Sequence, residues 1–525
     1  MTFISSEQKL LRPTQDDLNI IRSIYQKEII DNLRNSFRKG YKRTLVHGHP
    51  SIGKSYVFRD LAMSAAAKGK SVFYCAPRIN LVLDIFKKLQ QTGLWAGFIM
   101  SGCQRDQFAK VQLCCLPSLL KLVQTAQTKP HIDVLVIDEA HVEQDSVAEL
   151  VSHYPNAVVI TMTGTPLPGM DRYVQDVVKG PSMEFLTSNG LLTPVTYVRV
   201  YDDDRPAEIS GKLAGKLIGE PVSTWVEYGK GLPTVLFAAS VSDSMELCER
   251  FKNSGIAAAH MDASTQIDER KEMFRGLENG TLKVLCTVET FSYGVDVPAV
   301  SCAILAYTVE QRVKKSPETL AAYVQKISRI VRTCDGKDEA IVIDHSGLYN
   351  VFGRIDIEHE WPIETEGGKE KLEKEMEGVA EKSRIVKCKA CGARFEAKYG
   401  ECPNCHEPVK VQRRGVEHID ARLGVVGPDG KVRHAPTTDK ERRRFYEDSL
   451  RICRKRGWKD GKAYYLFKKR FPGYNPPQIR LVSGGDILPE NRALLSAYLA
   501  NERKANFAKQ RGIERAQRAA KARAS

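Results

Sequence analysis

No run of apolar residues in this 525-residue chain reaches the roughly 18 that a membrane-crossing helix needs. The opening stretch, MTFISSEQKLLRPTQDD, lacks the apolar core of a secretory leader. Clustered cysteines are scarce: of 13, most stand singly, apart from one group of four, which argues against a disulfide-stapled secreted scaffold. Together these absences predict a soluble, cytoplasmic protein with no membrane partner. Acidic residues run short as well, but only in one place. The formal net charge is +15, and residues 431–525 carry 25 Lys+Arg against 9 Asp+Glu, so the preceding 430 residues are close to neutral. A near-neutral body with a strongly basic end suits a polyanion, most simply nucleic acid.

What is there begins at residue 48. GHPSIGKS follows the pattern G-x-x-x-x-G-K-S, with Gly48, Gly53, Lys54 and Ser55 in the fixed places. Glycines at those points let the backbone turn tightly and aim N–H groups at a phosphate. The lysine neutralises β- and γ-phosphate charge, and the serine hydroxyl holds Mg²⁺. Such a loop must follow a strand and open a helix, whose N-terminus also faces the anion. RTLVHG supplies the strand end. SYVFRDLAMSAAAKG supplies the helix, with Val57, Phe58, Leu61 and Ala65 on one face and Gly69 as its stop.

Up to about residue 195, apolar strand-like runs alternate with helical stretches: SVFYCAP (71–77), VQLCCLP (111–117), DVLVIDEA (133–140) and AVVITMTG (157–164). Buried parallel strands have this composition, so the class is α/β. A linking segment, residues 194–210, leads to a second alternation. Its strands are PTVLFAAS (233–240), AAAHMDA (257–263), LKVLCTVE (282–289), SCAILAYT (301–308) and EAIVIDHS (339–346). This half has no phosphate loop of its own. The expected domains are 1–195, 196–360, a charged linker helix over 361–387, a cysteine module over 388–410, and a basic helical region with its tail over 411–525.

A phosphate loop needs a carboxylate to complete Mg²⁺ coordination and a group to align water. VLVIDEAH (134–141) offers both: Asp138 ends a buried strand, Glu139 could polarise the attacking water, and His141 could couple the site to neighbouring elements.

At this point the chain resembles the superfamily 2 helicases of the DEAD/DEAH type, and more narrowly phage and bacterial DNA helicases related to restriction-enzyme motor subunits. The resemblance covers about residues 10 to 350. It implies two tandem RecA-like domains with parallel sheets, ATP as substrate and nucleic acid as track. LRPTQ (11–15) resembles the element whose glutamine, here Gln15, reads adenine. APRINLV (76–82) resembles a backbone-contacting motif and makes Arg78 a candidate there. TGTP (163–166) stands where the family has S/T-A-T, with Gly164 replacing the usual Ala. TVETFSYGVDVP (287–298) matches motif V through Thr287, Gly294 and Asp296. QKISRIVRT (325–333) matches motif VI, with Gln325 on ATP, Ser328 where Gly is common, and Arg329 and Arg332 as arginine fingers. On this resemblance Lys54, Asp138, Glu139, Arg329 and Arg332 carry the chemistry. Thr287 and Arg78 touch the polymer.

Cys388, Cys391, Cys402 and Cys405 give C-x₂-C-x₁₀-C-x₂-C. Four thiolates on two knuckles make a closed tetrahedral Zn²⁺ site, and so short a segment would depend on metal to fold. An iron–sulfur cluster is the alternative for the same ligands. Ribbons of this kind dock nucleic acid or proteins, here replication or recombination partners. Residues 441–473 mix cations with aromatics and read as two helices broken near Gly457 and Gly461. Arg442, Arg443, Arg454, Lys455 and Arg456 are candidate phosphate contacts. Phe445, Leu450, Trp458, Tyr465 and Phe467 are candidates for a small core. The expected activity is ATP-dependent translocation, with DNA favoured over RNA and a phage or prophage setting implied by the resemblance. An RNA helicase and an ATP-gated clamp remain the alternatives. No nuclease, methylase or primase motif accompanies the motor.

Overall fold

The computed structural model describes residues 15–49, 52–106, 108–200, 216–288, 297–307, 316–364, 385–387, 394–396, 416–419, 421, 423–427, 430–433, 439–471 and 474–477. The chain forms two compact units. One holds Asn19–Ser182 and the chain from His359; the other holds Met183–Glu358 and the chain from Val416.

The first unit is built on a seven-stranded parallel sheet. Its strands are β1 (Arg43–His47), β2 (Val72–Ala76), β3 (Ala96–Ile99), β4 (Val111–Cys115), β5 (Val134–Asp138), β6 (Val158–Thr163) and β7 (Asp176–Lys179), in the order β3-β4-β2-β5-β6-β1-β7. β2 and β4 are buried along their whole length, as runs such as VFYCA require when helices cover both faces of a sheet. Leu45, Cys75, Ile137 and Val159 bring four strands into one core with Leu119 and Leu150 from the covering helices. β3 and β7 were not foreseen in the sequence. They lie at the sheet edges; β3 is short and mostly buried, whereas β7 is largely solvated.

The second unit repeats the plan. Its sheet has the order β11-β12-β10-β13-β14-β8-β18-β19. The strands are β8 (Val195–Val200), β10 (Thr234–Ala238), β11 (Ala258–Met261), β12 (Val284–Thr287), β13 (Cys302–Ala306), β14 (Ala340–Asp344), β18 (Leu423–Val426) and β19 (Val432–Arg433), with β9 (Lys216–Ile218) outside this sheet. From β11 to β8 the pairing is parallel. β18 then runs antiparallel on β8, and β19 antiparallel on β18. Leu236, Phe251, Ile304 and Ile343 form the core. These are the tandem parallel-sheet α/β domains that the family resemblance implies.

Two expectations need correction. The first boundary falls after Ser182, and residues 195–200, read as part of a link, are a central strand. The region from residue 411 is not purely helical. β17 (Glu417–Ile419) pairs with β9, and β18 and β19 extend the second unit's sheet. Tyr228 OH donates to the Leu423 carbonyl at 2.8 Å, and Arg199 donates to that of Gly430 at 3.1 Å, so this segment belongs to the second unit's fold.

Helices Asp439–Lys455 and Asp460–Arg470 follow, with Gly457 at φ +70° in the turn between them. Phe445, Leu450, Cys453, Leu466 and Phe467 form their shared core, with Trp458 and Val226 against it. Tyr465 is half exposed and takes no part. Arg470 pairs with Glu227, which ties the helices to the same unit.

Most of the linker helix expected over 361–387 lies outside the described residues. Its end, β15 (Ile385–Lys387), is a strand paired antiparallel with β16 (Arg394–Glu396). Cys388, Cys391, Cys402 and Cys405 also lie outside the described residues. Among the described residues, no helix is long and apolar enough to cross a membrane.

Candidate active site

The loop after β1 is shaped by close approach. A Cβ on Gly48 would stand 2.2 Å from Ile52 Cδ1, so a larger residue there would force the Ile52 side chain to move. The Gly48 amide donates to the Thr163 carbonyl at 3.2 Å, tying the loop to the end of β6. Gly53 sits at φ +80° as the cap of helix Lys54–Ala67, a left-handed conformation that L side chains resist. A second brace comes from helix Gln15–Arg38. Tyr25 OH donates to the Ile52 carbonyl at 3.0 Å, and Gln26 Nε2 lies 2.9 Å from where a Gly53 Cβ would be. Gln15 opens that helix, ten residues before Tyr25, or about 15 Å along its axis.

β5 ends at Asp138, and Glu139 turns the chain at φ +48°. The turn lets the Glu139 amide donate back to Asp138 Oδ1 at 2.9 Å. It also sends the Glu139 carboxylate between two partners: Lys54 Nζ lies 3.4 Å from Oε1, and His141 Nδ1 lies 3.5 Å from Oε2. Tyr74, from β2, donates its hydroxyl to Asp138 Oδ2 at 2.7 Å. Burial raises the Asp138 pKa above the usual carboxylate range; Lys54 opposes the shift and Glu139 adds to it. Burial and Asp138 together push the Tyr74 hydroxyl far upward, which keeps it a donor. Tyr74 was missed in the sequence. Its signal was a phenol inside a buried strand, where the hydroxyl must find a partner.

From His141 the network reaches β6. Thr163 Oγ1 and His141 Nδ1 are 2.8 Å apart, and the Thr165 amide donates to Thr163 Oγ1 at 3.0 Å. Burial lowers the His141 pKa, favouring the neutral ring. Gly164, the departure from the family pattern, leaves these bonds in place because they use the threonines on either side.

Two carboxylates and one lysine leave a net negative charge in a largely buried space, beside a glycine cradle that a single Cβ would fill. That donor set fits a hard divalent cation carried with a triphosphate. Among the described residues no three His, Cys, Asp or Glu side chains are grouped to hold a metal by themselves. Mg²⁺ characteristically takes only one or two protein carboxylates and completes its shell with phosphate and water. Ser55 and Asp138 would hold Mg²⁺, which supplies charge neutralisation on the phosphate oxygens.

In the second unit, helix Pro317–Ile327 carries Gln325, and the following turn carries Arg329 and Arg332, all partly buried. Ser328, in place of the usual Gly, is buried and donates its hydroxyl to the Val324 carbonyl at 2.5 Å, so the substitution is absorbed locally. Leu192 bridges to Arg332, and the Thr193 amide donates to the Val331 carbonyl at 2.7 Å, which fixes the arginine turn against β8. Gly294 and Asp296 lie outside the described residues.

The candidate polymer contacts divide. Arg78 is exposed at the start of helix Ile79–Gln90, next to the end of β2. Thr287 is fully buried at the end of β12, so it does not present its side chain as expected. Arg443, Lys455 and Arg456 are exposed. Arg442 pairs with Asp439 and lies 4.0 Å over the Tyr474 ring, and Arg454 grips Asp460 through two bonds of 3.0 and 2.7 Å. Arg443 pairs likewise with Glu447 at 3.4 Å, and Arg456 lies 5.3 Å over the Trp458 ring, so most of these cations also have neighbours within the helical pair.

With the loop, its two carboxylates and the paired sheets in hand, the comparisons give the class. A family described as type III restriction enzyme, res subunit, matches residues 20–167, and one described as helicase conserved C-terminal domain matches 220–334. The chain belongs to the superfamily 2 helicases related to restriction-enzyme motor subunits, and it is an ATP-dependent hydrolase. Among curated relatives, a 51.5 kDa protein of Lactococcus phage (isolate 7-9) is 24% identical over 399 residues, covering 73% of this chain and 82% of its own. Competence protein ComFA of Streptococcus pneumoniae is 22% identical, covering 62% and 73%. ATP-dependent DNA helicase RecQ of Haemophilus influenzae is 21% identical, covering 75% of this chain and 64% of RecQ. A solved structure titled ATP-dependent Type ISP restriction-modification enzyme LlaBIII bound to DNA aligns with a TM-score of 0.45 at 15% identity, over 61% of this chain and 27% of that one.

Proposed function

We propose that the protein is a DNA motor: ATP hydrolysis drives translocation on DNA, with strand separation or branch migration as the outcome. The observation that carries this is the run of close contacts from Lys54 through Glu139 and His141 to Thr163 and Thr165. It joins the water-polarising carboxylate to the segment that, in the family, links hydrolysis to strand movement. DNA is favoured over RNA because of the DNA helicase among the relatives and the basic helical pair fixed on the second unit. The phage relative supports a role in phage or prophage replication or recombination. In this reading Gln15 and Gln325 serve the nucleotide with Gly294 and Asp296, Arg329 and Arg332 serve the transition state, and Arg78, Arg443, Lys455 and Arg456 serve the DNA backbone.

Cys388, Cys391, Cys402 and Cys405 are assigned to a zinc ribbon. The spacing C-x₂-C-x₁₀-C-x₂-C supports this reading, as does the antiparallel pairing of β15 with β16, which sets Lys387 opposite Arg394. Metal analysis of the purified protein should return one zinc per chain; iron would replace the assignment.

The test of the motor is ATP turnover with single-stranded DNA, forked DNA and RNA, beside Lys54→Ala. Stimulation by DNA that is lost in the variant is expected. Stimulation by RNA alone would move the protein to RNA remodelling, and ATP binding without turnover on any polymer would sink the motor.

A further inference from the structure

Lys337 is a lysine with only 9% of its surface exposed. It lies on the stretch that leaves the motif VI arginines and leads into β14. Its ammonium donates to two main-chain carbonyls, Pro298 at 2.8 Å and Val300 at 2.6 Å. Pro298 is the last residue of TVETFSYGVDVP, two positions after Asp296. The turn it closes is held by the Val300 amide on the Val297 carbonyl at 3.1 Å. The Lys337 amide in turn donates to the Cys334 carbonyl at 3.2 Å, two residues beyond Arg332. One side chain thus spans the exits of two motifs that lie far apart in sequence.

We propose that Lys337 is a positioning residue for ATP hydrolysis, fixing the end of the motif V segment against the turn that bears Arg329 and Arg332. The inference rests on the ATPase chemistry of this chain and not on the choice of DNA as track.

The physical case is that a buried ammonium is costly to keep. Burial pulls its pKa down to about 8, with Cys334 opposing the shift and Arg332 adding to it. An apolar side chain of similar length would avoid that cost and leave two carbonyls unanswered. The lysine meets both acceptors and sets the distance between the two backbone segments. Arginine fingers act by geometry, so a slack joint behind them lowers turnover more than it lowers ATP binding.

The test is steady-state ATP hydrolysis by the full chain carrying Lys337→Met, Lys337→Gln or Lys337→Arg, with melting temperatures measured alongside. Below the melting point, Lys337→Met should lower kcat by roughly 10- to 100-fold while KM for ATP moves by less than about threefold. Lys337→Arg, which keeps the charge and can reach both carbonyls, should recover most of kcat. If Lys337→Met does not fold, Lys337→Gln, which removes the charge and shortens the reach to the two carbonyls, is compared with Lys337→Arg instead, and its kcat should again be the lower of the two. The proposal fails if the folded variant turns over within twofold of the parent. It also fails if Lys337→Arg is no better than Lys337→Met, or if turnover falls only in step with the folded fraction.

Discussion

In the first unit, polar groups from β2, from the ends of β5 and β6 and from the start of helix Lys54–Ala67 meet one another: Tyr74 with Asp138, Lys54 with Glu139, His141 with Thr163. Among the described residues, the corresponding part of the second unit shows no such glycine loop and no carboxylate pair. It offers Gln325, Arg329 and Arg332 at and just after the end of one helix, held by backbone bonds to residues 192 and 193. In the proposed motor these two sets of groups would divide the reaction: the first unit's lysine and carboxylates would serve nucleotide and water, and the second unit's arginines the negative charge that develops on the phosphoryl group. Hydrolysis would then depend on both units.

The strongest way to break the comparison is Arg332→Ala. Turnover should fall by about 10³- to 10⁵-fold with ATP binding retained, as measured by kcat and by nucleotide affinity. A loss under tenfold would show that the second domain does not supply the charge. Glu139→Gln tests the preassembled side. It keeps the shape and removes the base, and kcat should drop by roughly 10²- to 10⁴-fold.

Thr163→Val sharpens the division further. It deletes the hydroxyl shared by His141 and the Thr165 amide, at a cost of about 1 kcal/mol for a bond of this kind. Basal turnover should change only a few-fold on that scale, while stimulation by the polymer is lost. Full stimulation in the variant would remove Thr163 from the coupling path.

The last effect is one of stability and not of turnover, and it belongs to the second unit. His345 follows β14, donates through Nδ1 to the Ile218 carbonyl at 2.5 Å, and is fully buried. Burial lowers its pKa from 6.5 to about 4. The unfolded chain takes up this proton at a pH where the folded chain refuses it, so stability falls as pH drops from 6.5 toward 4. The whole window is worth on the order of 3 kcal/mol. Chemical denaturation of the parent and of His345→Gln across that range should converge at low pH; parallel curves would show that His345 contributes nothing to acid sensitivity.

Much of this was readable in the chain. The central strands announced themselves as continuous apolar runs because burial on both faces demands it, and the phosphate loop because its glycines, lysine and serine stand at fixed spacing, with Gly53 at positive φ. Edge strands β3 and β7 were harder: β3 is only four residues long and contains a glycine, and β7 is largely solvated and carries a mixed composition. Tyr74 and Lys337 were invisible for another reason: each acts on a backbone or carboxylate partner that only the crossover connections bring near. Thr287 was placed by pattern on the polymer, yet its position at the buried end of β12 turns its side chain inward. The neighbours of the basic helices were not legible either: Asp439 and Tyr474 beside Arg442, Glu447 beside Arg443 and Asp460 beside Arg454 are set by helical spacing and by the turn between the helices.

The antiparallel strand β18 has a consequence for how the chain is made. β8 lies between β14 and β18, and β18 is encoded far downstream of both. A ribosome releases β8, β10 and β14 well before it releases residues 423–426. Until then the nascent sheet ends on an open β8, with a row of backbone donors and acceptors facing solvent. Termination anywhere between β14 and β18 would leave that row permanently exposed, as a template for pairing with another chain. The second unit is therefore finished last, by a segment from the far side of the cysteine cluster.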